Sequence, residues 1–68
     1  MSKFEIDDRV RIGENNPMFK HLVGREGTVV GITQFVGGTP MIEVTIDRLR
    51  SVPVVPFYPD ELEKVNGG

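Results

Sequence analysis

Gly24-Arg25-Glu26-Gly27-Thr28-Val29-Val30-Gly31-Ile32 is the stretch on which the fold turns: two glycines three apart run directly into β-branched residues. A glycine accepts positive φ or the close approach of another backbone, and Thr28, Val29, Val30 and Ile32 favour a pleated, half-buried surface. The stretch predicts a tight turn feeding the longest strand of a small β domain. Apolar parity then breaks within the predicted strand of residues 26–35, because Val29 and the pair Val30 and Ile32 cannot share one face. Such a strand must bend, and Gly31 is the expected bend.

Upstream, Phe4, Ile6, Val10 and Ile12 occupy even positions and Glu5, Asp7, Arg9 and Arg11 odd ones, the alternation of a strand with one buried face. Asp8 interrupts the apolar series, so a turn is expected at Asp7-Asp8 and a strand over residues 9–12. Residues 13–23 form an irregular connection that opens on turn formers, Gly13-Glu14-Asn15-Asn16-Pro17, and then carries Met18, Phe19 and Leu22. Either Phe19 and Leu22 fold back to cap one end of the core, or they face outward as anchors for a partner.

Downstream, Val36-Gly37-Gly38-Thr39-Pro40 predicts a hairpin loop, and residues 41–47 alternate with Ile42, Val44 and Ile46 inward. Val52-Pro53-Val54-Val55-Pro56-Phe57-Tyr58 is extended, but each proline deletes a ladder donor and places it at a sheet edge or bulge. Pro59 with Asp60 and Glu61 behind it predicts one 3₁₀ turn, followed by a short strand over residues 63–65. Asn66-Gly67-Gly68 reads as a disordered tail after a single domain of residues 1–65.

The whole order is all-β: five short strands with a single 3₁₀ turn before the last. Residues 4–65 resemble an SH3-like barrel, and the pairing of residues 4–12 with Gly24-x-x-Gly27-x-Val29 is similar to the KOW-type motif, in which glycine usually stands where Asp7 does here. Aspartate tolerates the left-handed conformation that glycine would supply. The ending Phe57-Tyr58-Pro59-Asp60-Glu61-Leu62-Glu63-Lys64-Val65 also resembles small photosynthetic electron-transport accessory proteins of the ferredoxin-thioredoxin reductase variable chain type. In KOW-containing ribosomal and transcription proteins the loop matching residues 20–27 contacts RNA or protein, and that contact is what the resemblance implies here.

Size and composition bound the chemistry. With 68 residues the chain buries only about 60% of its unfolded surface, leaving no room for a second lobe or deep cleft. It has no cysteine and a single histidine, His21, so neither a Cys-His dyad nor a multi-histidine metal site can form within one chain. The acidic groups Asp7 with Asp8, and Asp60 with Glu61 and Glu63, lack calcium-loop spacing. Gly24-x-x-Gly27 is not a phosphate loop, since the lysine and hydroxyl are missing and a strand follows. The sequence therefore points to a non-enzyme without cofactor, metal or small-molecule substrate. No apolar run approaches a membrane span and no signal sequence opens the chain, which predicts a soluble, cytoplasmic protein.

Eight basic against ten acidic residues give a net charge of −2, which repels a polyanion overall. The binding candidates are Met18, Phe19, Lys20, His21, Arg25, Arg48 and Arg50, with Phe35 and Tyr58 as nearby aromatics. If residues 20–25 and 48–50 lie at one end of the fold they make a local patch; otherwise Arg25, Arg48 and Arg50 serve solubility by pairing with Glu26, Glu43 and Asp47. The first functional reading is an adaptor that docks a protein partner through these loops. The alternative is RNA or ribosome binding through the cations, and a third is a small structural or assembly subunit, for example phage-encoded.

Overall fold

A computed structural model describes residues 4–16, 19–33, 38–49 and 54–65. Five strands, β1 (Arg9–Ile12), β2 (Glu26–Thr33), β3 (Met41–Ile46), β4 (Val55–Phe57) and β5 (Leu62–Lys64), form one antiparallel sheet in the order β4-β3-β2-β1-β5. The expected 3₁₀ turn precedes the last strand at Pro59–Glu61, where Glu61 accepts the Tyr58 N–H on its carboxylate at 2.7 Å. A second 3₁₀ turn, Lys20–Leu22, stands in the connection read from sequence as irregular. Pro56 behaves as anticipated: β4, with Pro56 at its centre, is an edge strand, while Pro53 lies outside the described residues. The predicted hairpin loop at Val36-Gly37, Phe35 and the tail at residues 66–68 lie outside the described residues.

All five strands send side chains into one buried cluster: Val10 and Ile12, Val29, Ile42, Val44 and Ile46, Val55 and Phe57, and Leu62, joined by Phe4 and Leu22. Among the described residues no α-helix or second sheet covers that face. β4 and β5 are the two edges of this sheet.

The parity break in β2 is resolved by one extra residue. Val29 pairs with Val44, but Gly31 pairs with Glu43, so Val30 has no partner in β3 and bulges outward, 46% exposed. After the bulge Ile32 opposes Ile42 and returns to the core side. One bulge thus lets Val29 and Ile32, of opposite parity, serve the same core.

The β1–β2 ladder ends in the same device at both extremities. At one end, turn 22–25 is closed by the Arg25 N–H donating to the Leu22 carbonyl at 2.9 Å, with Val23 at φ −55°, ψ 132° and Gly24 at φ 88°, a type II turn. Gly24 and Arg25 then oppose Ile12 together: Gly24 donates to Ile12 at 2.9 Å and Ile12 donates to Arg25 at 2.8 Å. At the other end the Asp8 N–H donates to the Glu5 carbonyl at 3.1 Å, Asp7 takes φ 78°, and Asp7 and Asp8 jointly oppose Val29. Both are bulges whose first residue is left-handed, the position usually held by glycine. This second bulge also corrects the alternation expected from residue 4 to 12. Phe4 is buried but Ile6 is 52% exposed, because Ile6 is the second residue of the turn from Glu5 to Asp8 and no longer follows the strand alternation.

Candidate functional site

Residues 19–25 are held in place from within. Asn16, itself buried, accepts the Phe19 N–H on its side-chain oxygen at 2.9 Å and so starts the 3₁₀ turn. Leu22 enters the core completely, while Phe19 is half-buried, its ring edge-on to the buried Phe57 at 5.6 Å and to His21 at 6.4 Å. Phe19 therefore packs against the core, as the capping reading requires, and still reaches the surface. Lys20 and His21 are exposed on the outside of the turn.

The chain leaving β3 turns sharply beside this loop. The Leu49 N–H donates to the Ile46 carbonyl at 3.3 Å and Arg48, a non-glycine residue, holds φ 65°. Strand pairing of Gly27 with Ile46, extended by the Asp47 N–H donating to the Glu26 carbonyl at 2.9 Å, brings turn 46–49 against the entry to β2.

Two depressions result, each lined by both loops. One is apolar, about 150 Å³, and is lined by Phe19, His21, Leu22, Leu49, Val54, Val55 and Pro56. The other is polar and shallow, lined by Gly24, Arg25, Glu26, Asp47 and Arg48. Of the residues proposed from sequence, Phe19 and His21 meet at the first depression and Arg25 and Arg48 at the second. Met18 and Arg50 lie outside the described residues. Leu49, Val54 and Pro56 were not anticipated as lining residues; their contribution depends on the path of the chain between β3 and β4, which no local pattern reveals.

The acidic groups here are already engaged, but not by the cations expected. Asp47 takes a two-point ion pair from Arg9, at 2.6 and 3.2 Å, and Glu26 faces Arg9 at 3.5 Å and Arg11 at 3.3 Å. Arg9 also donates to the Thr28 hydroxyl at 2.9 Å. These bonds hold the Asp47 carboxyl below its ordinary value, the Arg9 hydrogen bond first among the causes and the charge of nearby Arg48 a lesser one. Among the described residues Lys20, Arg25 and Arg48 form no ion pair. The pairing of Arg25 and Arg48 with Glu26, Glu43 and Asp47 expected for purely solubilising arginines is therefore not found; Arg9 and Arg11, on the strand faces, occupy Glu26 and Asp47 instead.

Compared with family models, curated protein sequences and solved structures, the chain matches none of them.

Proposed function

We infer that this chain is a non-catalytic docking module that engages a protein partner where residues 19–25 meet residues 47–49. The observation that carries the reading is that the same two loops build both an apolar depression and a second one lined by Arg25 and Arg48, which form no ion pair among the described residues. An apolar anchor site beside charged groups is the arrangement from which protein interfaces draw both affinity and orientation.

The scaffold reading that accompanies it is a small SH3-like barrel. Phe57 and Leu62, at the facing ends of β4 and β5, are five residues apart and span at most about 18 Å, less with a 3₁₀ turn between them. The edges of a flat five-stranded sheet would stand about 19 Å apart. The single shared core and the strand order β4-β3-β2-β1-β5 with a 3₁₀ turn before β5 support the same reading.

RNA binding remains the second reading because Arg25 and Arg48 converge. Glu26 and Asp47 lie in the same depression and oppose a phosphate backbone, and the net charge is −2. Affinity capture from a nuclease-treated lysate of the source organism separates the two, using the wild type, Arg25→Glu, Arg48→Glu and Thr45→Glu, which places the same acid on an exposed site of β3. A protein held by the wild type and Thr45→Glu but lost by both arginine variants is the expected result. Retention undiminished in both arginine variants, or loss of every ligand on nuclease treatment, overturns the docking reading.

A further inference from the structure

We propose that the occupant of this surface is a short acidic segment of another protein carrying one aromatic side chain, its ring in the apolar depression and its carboxylates on Arg25 and Arg48. The inference rests on the docking reading and specifies its ligand.

Volume selects the anchor. The depression of about 150 Å³ is well below the ~300–1,000 Å³ of sites for drug-sized molecules, whereas an apolar cavity of about 150 Å³ suffices for a benzene ring. One ring, or one aliphatic side chain of similar size, fills it. The lining favours a ring, because Phe19 already takes part in an edge-to-face series with Phe57 and His21, and an incoming aromatic extends that packing.

Charge selects the flanks. Arg48 and Leu49 are consecutive, and Arg25 follows Leu22 in one turn, so the two depressions succeed one another along both loops. Arg25 and Arg48 are the cations lining the second depression, and they form no ion pair among the described residues, while Glu26 and Asp47 are held by Arg9 and Arg11. Carboxylates on the partner complete that arrangement, and lysines would face two arginines. The turn at Arg48 supports the assignment, since a non-glycine residue at φ 65° is conformational strain retained beside the apolar depression.

A nucleobase is the weaker candidate for the same space. Stacking platforms offer the flat face of an aromatic ring, but here the walls are chiefly Leu22, Leu49, Val54, Val55 and Pro56.

The test is an amide NMR titration of the full wild-type chain with four probes: a short synthetic peptide with one phenylalanine between acidic residues, its Phe→Ala form, a form with lysines replacing the acids, and a single-stranded oligouridylate. The acidic phenylalanine peptide is expected to shift Leu22, Arg25, Arg48, Leu49 and Val55, and to bind about tenfold or more tightly than its Phe→Ala and lysine forms. Equal binding of the lysine form at the same residues overturns the acidic specificity and leaves the docking reading standing. Equal binding of the Phe→Ala form overturns the aromatic anchor. Shifts with the oligouridylate and with no peptide overturn both inference and docking reading. Silence from all four probes overturns the inference alone, because the docking reading is decided by the arginine variants in the capture experiment.

Discussion

Asp7 and Gly24 hold the same left-handed backbone conformation, φ 78° and 88°, at opposite ends of the β1–β2 ladder. Each is the third residue of a turn and the first residue of a bulge, facing Val29 and Ile12 respectively. A side chain built on Gly24 would meet open space, so Gly24→Ala incurs backbone strain alone, about 1–2 kcal/mol. Asp7→Gly removes that strain and is expected to unfold at the same or a higher urea concentration than the wild type. Asp7→Val is expected to lose about 1–2 kcal/mol. A fall in midpoint for Asp7→Gly matching that of Asp7→Val would show that the aspartate side chain, not its φ, is what the site requires.

Gly27 answers to a different constraint. Its φ is not positive, but a Cβ there would collide with the Thr45 carbonyl oxygen and lie 2.7 Å from a Val44 methyl and 3.1 Å from the Thr45 carbonyl carbon. Backbone cannot move aside cheaply, so Gly27→Ala is expected to lose about 1–3 kcal/mol, and Gly27→Val to leave the chain largely unfolded at room temperature. At Gly31 the obstacle is the Glu43 carboxylate, the free end of a flexible side chain, and Gly31→Ala should lose under about 1 kcal/mol. Thermal unfolding followed by circular dichroism ranks the three. A near-normal melting temperature for Gly27→Val would contradict the β2–β3 register.

Phe19 contributes to stability as well as to the surface. Phe19→Leu keeps most of the apolar contact and gives up the edge-to-face packing on Phe57, about 0.5–1.5 kcal/mol. Phe19→Ala should cost more, yet less than the ~3–5 kcal/mol of a fully buried phenylalanine. Urea midpoints test the order. An unchanged midpoint for Phe19→Ala would mean that the ring does not pack on the core.

Acid should weaken the fold through two carboxylates. Asp8 accepts the Glu5 N–H at 2.9 Å and faces Lys64 at 3.3 Å, and its carboxyl lies below the ordinary 3.8, chiefly through the Glu5 bond; Asp47 lies low chiefly through Arg9. A depressed carboxyl adds stability above its unfolded value, and the gain disappears as pH falls through the folded value. Stability from these groups is therefore present above about pH 4 and lost below it. Asp47→Asn should flatten that acid limb in urea titrations, and an acid limb unchanged in both Asp47→Asn and Asp8→Asn would remove these carboxylates as its cause.

Much of the fold was legible because the core side chains announce themselves. Ile42, Val44 and Ile46 alternate cleanly and mark β3, and the prolines around Val55 place β4 at an edge. The parity break at Val29 and Val30 foretold a bend, though the unpaired residue is Val30 rather than Gly31. Ile6 misled, since alternation is blind to a bulge between Phe4 and Val10. The second 3₁₀ turn was hidden because it is organised by Asn16, a buried polar residue whose role depends on tertiary position. The candidate site was legible only in its residue types. Which arginines lack an ion pair among the described residues depends on Arg9 and Arg11 occupying Glu26 and Asp47.

The strand order also sets the sequence of events during synthesis. β2 and β3 are neighbours in the chain and can pair as soon as both have left the ribosome, whereas β1, made before either, waits for β5 to cover its second edge. Until Leu62–Lys64 emerge, that edge presents open amide and carbonyl groups flanked by Val10 and Ile12. Before β5 docks, that edge is a template for mispairing, and Arg9 and Arg11, charged residues alternating with those two aliphatics along the same strand, are placed to discourage another chain from adding to it.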